Sequence, residues 1–281
     1  MDRRNFVLGA AALLAANPSM AAEAPAGAGN GVALVLGGGG CRGYGHIGAI
    51  RALERNGIKP DLVVGSSVGS LVGALYAAGI GSSRLESYGK GLGPNMLRGW
   101  VFPKLGLFGG KRISRFVSER TGRRPIEALP IRFAAIATDL RSGKSVAISR
   151  GDLGRAVQAS SSLPGLMEPT KLDGQLLVDG NLSAPVPVDA ARFLGARRVI
   201  AVDISFPPTE AELEDPFDAL YQGFSILTNR LATLELARAD VQVQPQIPVH
   251  NEMGQATVKA LIAAGEQATM DAMPRIRALF R

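Results

Sequence analysis

The sequence predicts an α/β protein, a mainly parallel sheet covered by helices on both faces. Two observations carry that prediction. Strand-like apolar runs alternate along the chain with helix-spaced segments, the order that winds a parallel sheet and covers both its sides. Two glycine-rich elements, Gly38-Gly39-Gly40-Cys41-Arg42-Gly43 and Gly65-Ser66-Ser67-Val68-Gly69, each stand where such a run gives way to a helix. In open sheets of this kind, active sites collect at the carboxyl ends of the strands, which is where both elements fall.

At the N-terminus, Arg3-Arg4-Asn5-Phe6 precedes an apolar stretch at residues 7–16, and Ala22-Glu23-Ala24 offers a small-residue cleavage site. This resembles a twin-arginine export signal. The apolar run falls short of the roughly 20 residues needed to span a bilayer. Residues 1–24 are therefore set apart as a signal and residues 25–30 as a short leader. The mature protein is expected to be periplasmic or otherwise exported, with an uncleaved N-terminal anchor as the alternative.

Residues 32–36 (VALVL) form the first strand, and Gly37 to Gly40 let the following backbone turn its N–H groups toward a ligand. Preorganised donors of this kind stabilise the oxyanion of an acyl-transfer transition state by about 3–4 kcal/mol. Gly43-Tyr44-Gly45-His46-Ile47-Gly48 also satisfies the dinucleotide fingerprint G-x-G-x-x-G. That reading needs an acidic residue closing the second strand, but Asp61 opens that strand and Gly65-Ser66-Ser67 closes it. In G-x-S-x-G the serine sits on a tight strand-to-helix turn, with glycines removing side chains that would collide there. Residues 62–64 supply the strand and residues 68–78 the helix, so Ser67 presents its hydroxyl at a helix N-terminus. Taken alone, the pattern is equally a Gly/Ser turn.

Further strands are expected at residues 131–137, 146–148, 176–178 and 199–204. Asp179 ends one of them, in Leu177-Val178-Asp179-Gly180-Asn181; Asp-Gly is first a turn signal, as at Asp173-Gly174. A serine nucleophile needs a base, and the chain holds only His46 and His250. His250 reads as a solvated loop residue; His46 either supports the site or packs in the first turns of its helix. Cys41, the lone cysteine, excludes an intramolecular disulfide and cannot build a metal site alone. It reads as the variable position of the glycine motif, and no metal or cofactor constellation is recognisable.

Taken together, these motifs resemble the bacterial patatin-like phospholipases, serine lipid acyl hydrolases with a Ser/Asp dyad. The likeness rests on the G-G-G-x-R-G loop at residues 38–43, the G-x-S-x-G elbow around Ser67 and the Asp-Gly motif at Asp179 and Gly180. It runs on through Ala159-Ser160-Ser161-Ser162-Leu163-Pro164-Gly165 and residues 185–203, covering roughly residues 31–250. Asn181 departs from it, since many relatives carry glycine or alanine there. The resemblance implies a three-layer α/β/α fold, with residues 251–281 a helix on the same domain. It implies Ser67 as nucleophile and Asp179 as its base. The oxyanion hole would come from Gly38, Gly39, Gly40, Cys41, Arg42 and Gly43, with Gly65 and Gly69 flanking the nucleophile and His46 and Gly180 in support. It also implies a lipid or acyl-ester substrate and no cofactor. A non-catalytic lipid-binding or scaffold protein that keeps the fold is the alternative.

The whole formal excess of +7 belongs to the mature chain, because Asp2, Arg3, Arg4 and Glu23 cancel. Much of it lies in residues 84–124, where ten cations face only Glu86 and Glu119 and apolar residues such as Trp100, Phe102 and Phe108 are interspersed. Such a segment suits either a lid docking on an anionic membrane or a loop packed on the body. No nucleic-acid-binding module is recognisable. Residues 217–239 and 255–280 are predicted as two long helices, the first burying Leu220, Phe224, Leu227 and Leu231.

Overall fold

A computed structural model describes residues 31–91, 111–207, 216–247 and 255–281. Strand β1 (Val32–Leu36) is buried along its whole length, as expected of a continuous Val/Leu/Ala run in the middle of a parallel sheet. The other strands are β2 (Leu62–Ser66), β3 (Arg132–Asp139), β4 (Ser145–Ile148), β5 (Thr170–Leu172), β6 (Gln175–Asp179), β7 (Arg198–Val202) and β8 (Val241–Val243). They form one sheet in the order β5-β6-β3-β2-β1-β7-β8, with β4 also on β3. The run β3-β2-β1-β7-β8 is parallel; β4 pairs antiparallel along the other edge of β3, while β6 pairs antiparallel with the carboxyl end of β3 on the edge β2 occupies, and β5 pairs antiparallel with β6. The sequence reading missed β5 and β8, which at three residues each are too short to display a period. Asp173 and Gly174, both at positive φ (47° and 77°), close the β5–β6 hairpin.

Between the strands run α1 (Tyr44–Arg55), α2 (Val68–Ala77), α3 (Ser82–Gly91), α4 (Lys111–Arg120), α5 (Leu153–Ser160), α6 (Val188–Phe193), α7 (Pro216–Leu236), α8 (Gln255–Asp271) and α9 (Met273–Ala278). Alternation along β1 divides the core. Leu34 and Leu36 face a layer built from α1, α2, α5 and α8, whereas Ala33 and Val35 face α6 and α7. These are the two helical layers of an α/β/α fold.

The dinucleotide-like glycines prove to be packing devices. A Cβ on Gly48 would stand 1.9 Å from the Ile262 carbonyl oxygen, and one on Gly265 would stand 1.9 Å from that of Gly45. Backbone meets backbone where α1 crosses α8, and only glycine fits. Asp61 accepts the Val32 N–H (3.0 Å) at the amino end of β1, the opposite end from the glycine loop.

Several expectations are corrected. Leu220 and Leu227 are exposed; α7 instead buries Ser225, Thr228, Ala232 and Leu236. A periodic leucine row fixes a helix but not which side faces the sheet, and here small side chains do so, letting the helix lie close. The C-terminal segment is two helices rather than one. Pro274 has no N–H to continue α8, and Ala272 caps a new start. The two ends of the basic segment at residues 84–124 are helices packed on the body: Leu85 of α3 and Ile113, Phe116 and Val117 of α4 are buried, and the Arg120 guanidinium stacks on Tyr88 and Phe116. The middle of that segment, residues 92–110, lies outside the described residues, as do residues 1–30 and His250.

Candidate active site

Sheet register brings the site together. Ser66 pairs with Ile136 across β2–β3, and Asp179 pairs with Ala137 across β6–β3. The residue that follows Ser66 and the last residue of β6 therefore meet over the same stretch of β3. Ser67 donates its hydroxyl to Asp179 Oδ2 at 2.7 Å. Its backbone (φ 51°, ψ −123°) lies in a region side chains rarely occupy, as a sharp strand-to-helix turn requires. Flanking glycines permit that turn: a Cβ on Gly69 would fall 2.0 Å from the Leu36 carbonyl oxygen, and one on Gly65 2.4 Å from that of Gly69.

Serine side chains hold the strained turn in place. The Ser67 N–H donates to Ser160 Oγ at 3.0 Å, and Ser160 in turn donates to the Ile136 carbonyl. The Ser67 carbonyl accepts from Ser70 Oγ (2.6 Å) and Ser161 Oγ (3.4 Å). Sequence reasoning assigned no role to these three residues. The only signal available was the Ser160-Ser161-Ser162 run at the end of α5.

Asp179 is buried, and desolvation pushes its carboxyl up to about 6, against the opposing effect of two donors to its carboxylate, the Asn181 N–H and the Ser67 hydroxyl. It remains mostly ionised at neutral pH and can accept a proton. His46 is not its rival. The imidazole is wholly buried, its Nε2 hydrogen-bonds the Gly37 carbonyl at 2.7 Å, and burial pushes it down to about 4. A neutral His46 donating from Nε2 ties α1 to the start of the glycine loop; the hydroxyl of Ser67 is held by Asp179.

The glycine loop narrows to fewer donors than the motif suggests. The Gly38 N–H is committed to the Pro185 carbonyl (2.9 Å) and the Arg42 N–H to that of Gly39 (3.0 Å). Neither faces a ligand, which corrects the expected set. Among the described residues no hydrogen bond takes the N–H of Gly39 or Gly40, and both residues line the cavity that Ser67 opens into. The Arg42 guanidinium donates to the Ser205 carbonyl (2.7 Å) and lies over Phe206, clasping the glycine loop to the segment after β7 rather than offering free charge. Burial pushes the Cys41 thiol up, away from thiolate chemistry. Gly43 packs on Val68, Gly180 lies over the Ile136 carbonyl, and Asn181 fills the space beside Gly38. The Asn181 side chain accepts from Ser66 Oγ (3.1 Å), so this departure from the family pattern is bonded into the site.

The cavity over Ser67 measures about 70 Å³ and has an apolar wall of Leu163, Leu166, Met167, Phe206, Tyr221 and Phe224. Asp179, the serine turn and the glycine loop thus surround an apolar space with one nucleophile candidate, one base candidate and two uncommitted backbone donors.

Residues 34–192 match the family described as patatin-like phospholipase. The chain belongs to the patatin-like phospholipase family. Of its relatives, an NTE family protein of Mycobacterium tuberculosis is 39% identical over 180 residues, 62% of this chain and 49% of that protein. Patatin-like phospholipase domain-containing protein 6 of Homo sapiens is 36% identical over 211 residues, 72% of this chain and 15% of that protein. This patatin-like chain therefore spans about half the length of the mycobacterial relative and a small part of the human one. Among solved structures, VipD from Legionella pneumophila superposes with a TM-score of 0.50 at 13% identity, over 88% of this chain and 66% of that one, a likeness of fold.

Proposed function

We propose that this patatin-like protein is a serine acyl hydrolase that cleaves acyl esters of phospholipids or related lipids. The observation that carries the reading is the 2.7 Å contact between Ser67 Oγ and the buried carboxylate of Asp179, with His46 bonded to the Gly37 carbonyl instead. Asp179 takes the Ser67 proton as Oγ attacks the ester carbonyl. The Gly39 and Gly40 N–H groups receive the developing oxyanion, and the proton passes to the departing alcohol. Water, deprotonated by Asp179, then releases the fatty acid from the acyl-Ser67. The test is turnover of a short-chain chromogenic ester and of phospholipid vesicles. Ser67→Ala and Asp179→Asn are each expected to lose activity on both substrates. Wild-type rates in either variant would remove the dyad.

We propose further that the protein is exported, on the strength of Arg3-Arg4 and the apolar run after it. An N-terminus beginning after Ala24 in the secreted fraction is the expected result, and a retained Arg3-Arg4 counts against it.

A further inference from the structure

Helix α7 carries a row of apolar residues on its outer side, where an ordinary surface helix is polar. At 100° per residue, one arc holds Ala219, Leu220, Gly223, Ile226, Leu227, Arg230, Thr233 and Leu234. Its three leucines recur every seventh position, and they are 68%, 65% and 64% exposed. Arg230 is the one charge among the described residues of that arc. A helix packed on a globular body normally turns charged and polar side chains outward. Here the outward face is apolar, and the inward face sets Ser225 and Thr228 beside Ala232 and Leu236.

The same helix walls the candidate active site. Tyr221, Phe224, Ser225 and Thr228 line the cavity, and Phe224 stands about 40° round the helix from Leu220, joining the cavity wall to the exposed row. The cavity, at about 70 Å³, is about half the roughly 150 Å³ that accepts a benzene ring. A long acyl chain exceeds that volume, and the apolar row beside the cavity offers a surface for the rest of it. The only charge on the arc is positive, as is the chain's net balance, so its electrostatics favour an anionic surface.

We infer that the outer face of α7 is the membrane-docking surface of this protein, with Leu220, Leu227 and Leu234 seated among the acyl chains of an anionic bilayer. The inference rests on the acyl-hydrolase reading for the route that substrate takes to Ser67. Docking on this face places the cavity mouth at the lipid surface, so that an acyl ester reaches Ser67 without crossing water.

The test replaces all three leucines with serine. Because these side chains are exposed and lie outside the cavity lining, the variant is expected to fold as the wild type does and to keep its turnover of a water-soluble ester. Binding is measured by co-sedimentation in a Ser67→Ala background, so that lipid is not consumed, with vesicles of phosphatidylcholine containing about one-third phosphatidylglycerol. The triple variant is expected to bind about tenfold more weakly or worse, and to lose vesicle hydrolysis in proportion. Equal vesicle affinity with and without the leucines overturns the inference. So does a wild-type protein that ignores vesicles but forms a dimer dispersed by the triple substitution, which would make a second copy the occupant. Absence of ester turnover in the wild type would instead strike the acyl-hydrolase reading, and the binding comparison would still decide the docking face.

Discussion

Ser160→Ala removes the acceptor of the Ser67 N–H without touching the hydroxyl that Asp179 holds. A buried donor left without a partner costs about 1–3 kcal/mol. The Ser67 backbone, at φ 51°, itself stores a comparable strain, of order 1–3 kcal/mol, which the surrounding bonds must hold down. Loss of the bond therefore shifts the turn toward relaxed conformations that misplace Oγ. About 2 kcal/mol corresponds to about 30-fold in a rate constant. The expected outcome is a fall of about 2 kcal/mol in unfolding free energy, together with a 10- to 100-fold loss in kcat and a KM close to wild type. Ser160→Thr, which keeps the hydroxyl, is expected to recover most of the kcat. Covalent labelling of Ser67 by a fluorophosphonate should slow in the same ratio, since labelling needs the nucleophile in place but not the substrate's binding contacts. A Ser160→Ala protein that is less stable yet labels and turns over at wild-type rates would refute the reasoning, leaving Ser160 as packing alone.

Two further predictions concern titrating carboxyls. Burial raises Asp179 to about 6, and only its ionised form accepts the Ser67 proton, so kcat/KM should fall about tenfold per pH unit below that value. A flat profile down to pH 4 would contradict Asp179 as the base. Glu235, on the inward side of α7, accepts the Val186 N–H at 2.9 Å, and burial raises its carboxyl from 4.5 to about 8. A raised carboxyl binds its proton more tightly folded than unfolded, so its stabilising contribution is full below 4.5 and is lost as pH rises toward 8. Glu235→Gln should therefore flatten the decline of Tm across that window. An unchanged pH slope in the variant would mean that Glu235 titrates normally.

What could be read from sequence divides along physical lines. Gly65, Ser67 and Gly69 were legible because their constraint is local: a sharp turn needs those glycines wherever it occurs. Locally, Asp179 was a carboxylate candidate ending an apolar strand in what is equally a turn signal, and resemblance to a family gave it the role of base; its proximity to Ser67 comes from pairing on β3, a relation between residues far apart in the chain. Ser160 was invisible as a functional residue for the same reason, since its partner lies 93 positions away. Gly38 and Arg42 read as oxyanion donors because the motif names residues, whereas the structure shows which N–H groups Pro185 and Gly39 already occupy. The leucines of α7 gave the right helix and the wrong face, because a period carries no information about which side meets the sheet.

Strand β3 acts as a ruler. Nucleophile and base arrive on the same edge of it, β2 ending opposite Ile136 and β6 ending opposite Ala137, with β4 on the other edge, so adjacent residues of β3 bring them together whatever the length of chain that joins them. The stretch between Ser67 and Asp179 can thus lengthen, shorten or exchange its loops without moving the chemistry, so long as β3 keeps its register. A one-residue slip in that single strand would separate the pair while leaving every catalytic side chain intact. Variation in what is hydrolysed and variation in whether hydrolysis occurs are in this way consigned to different parts of the same chain.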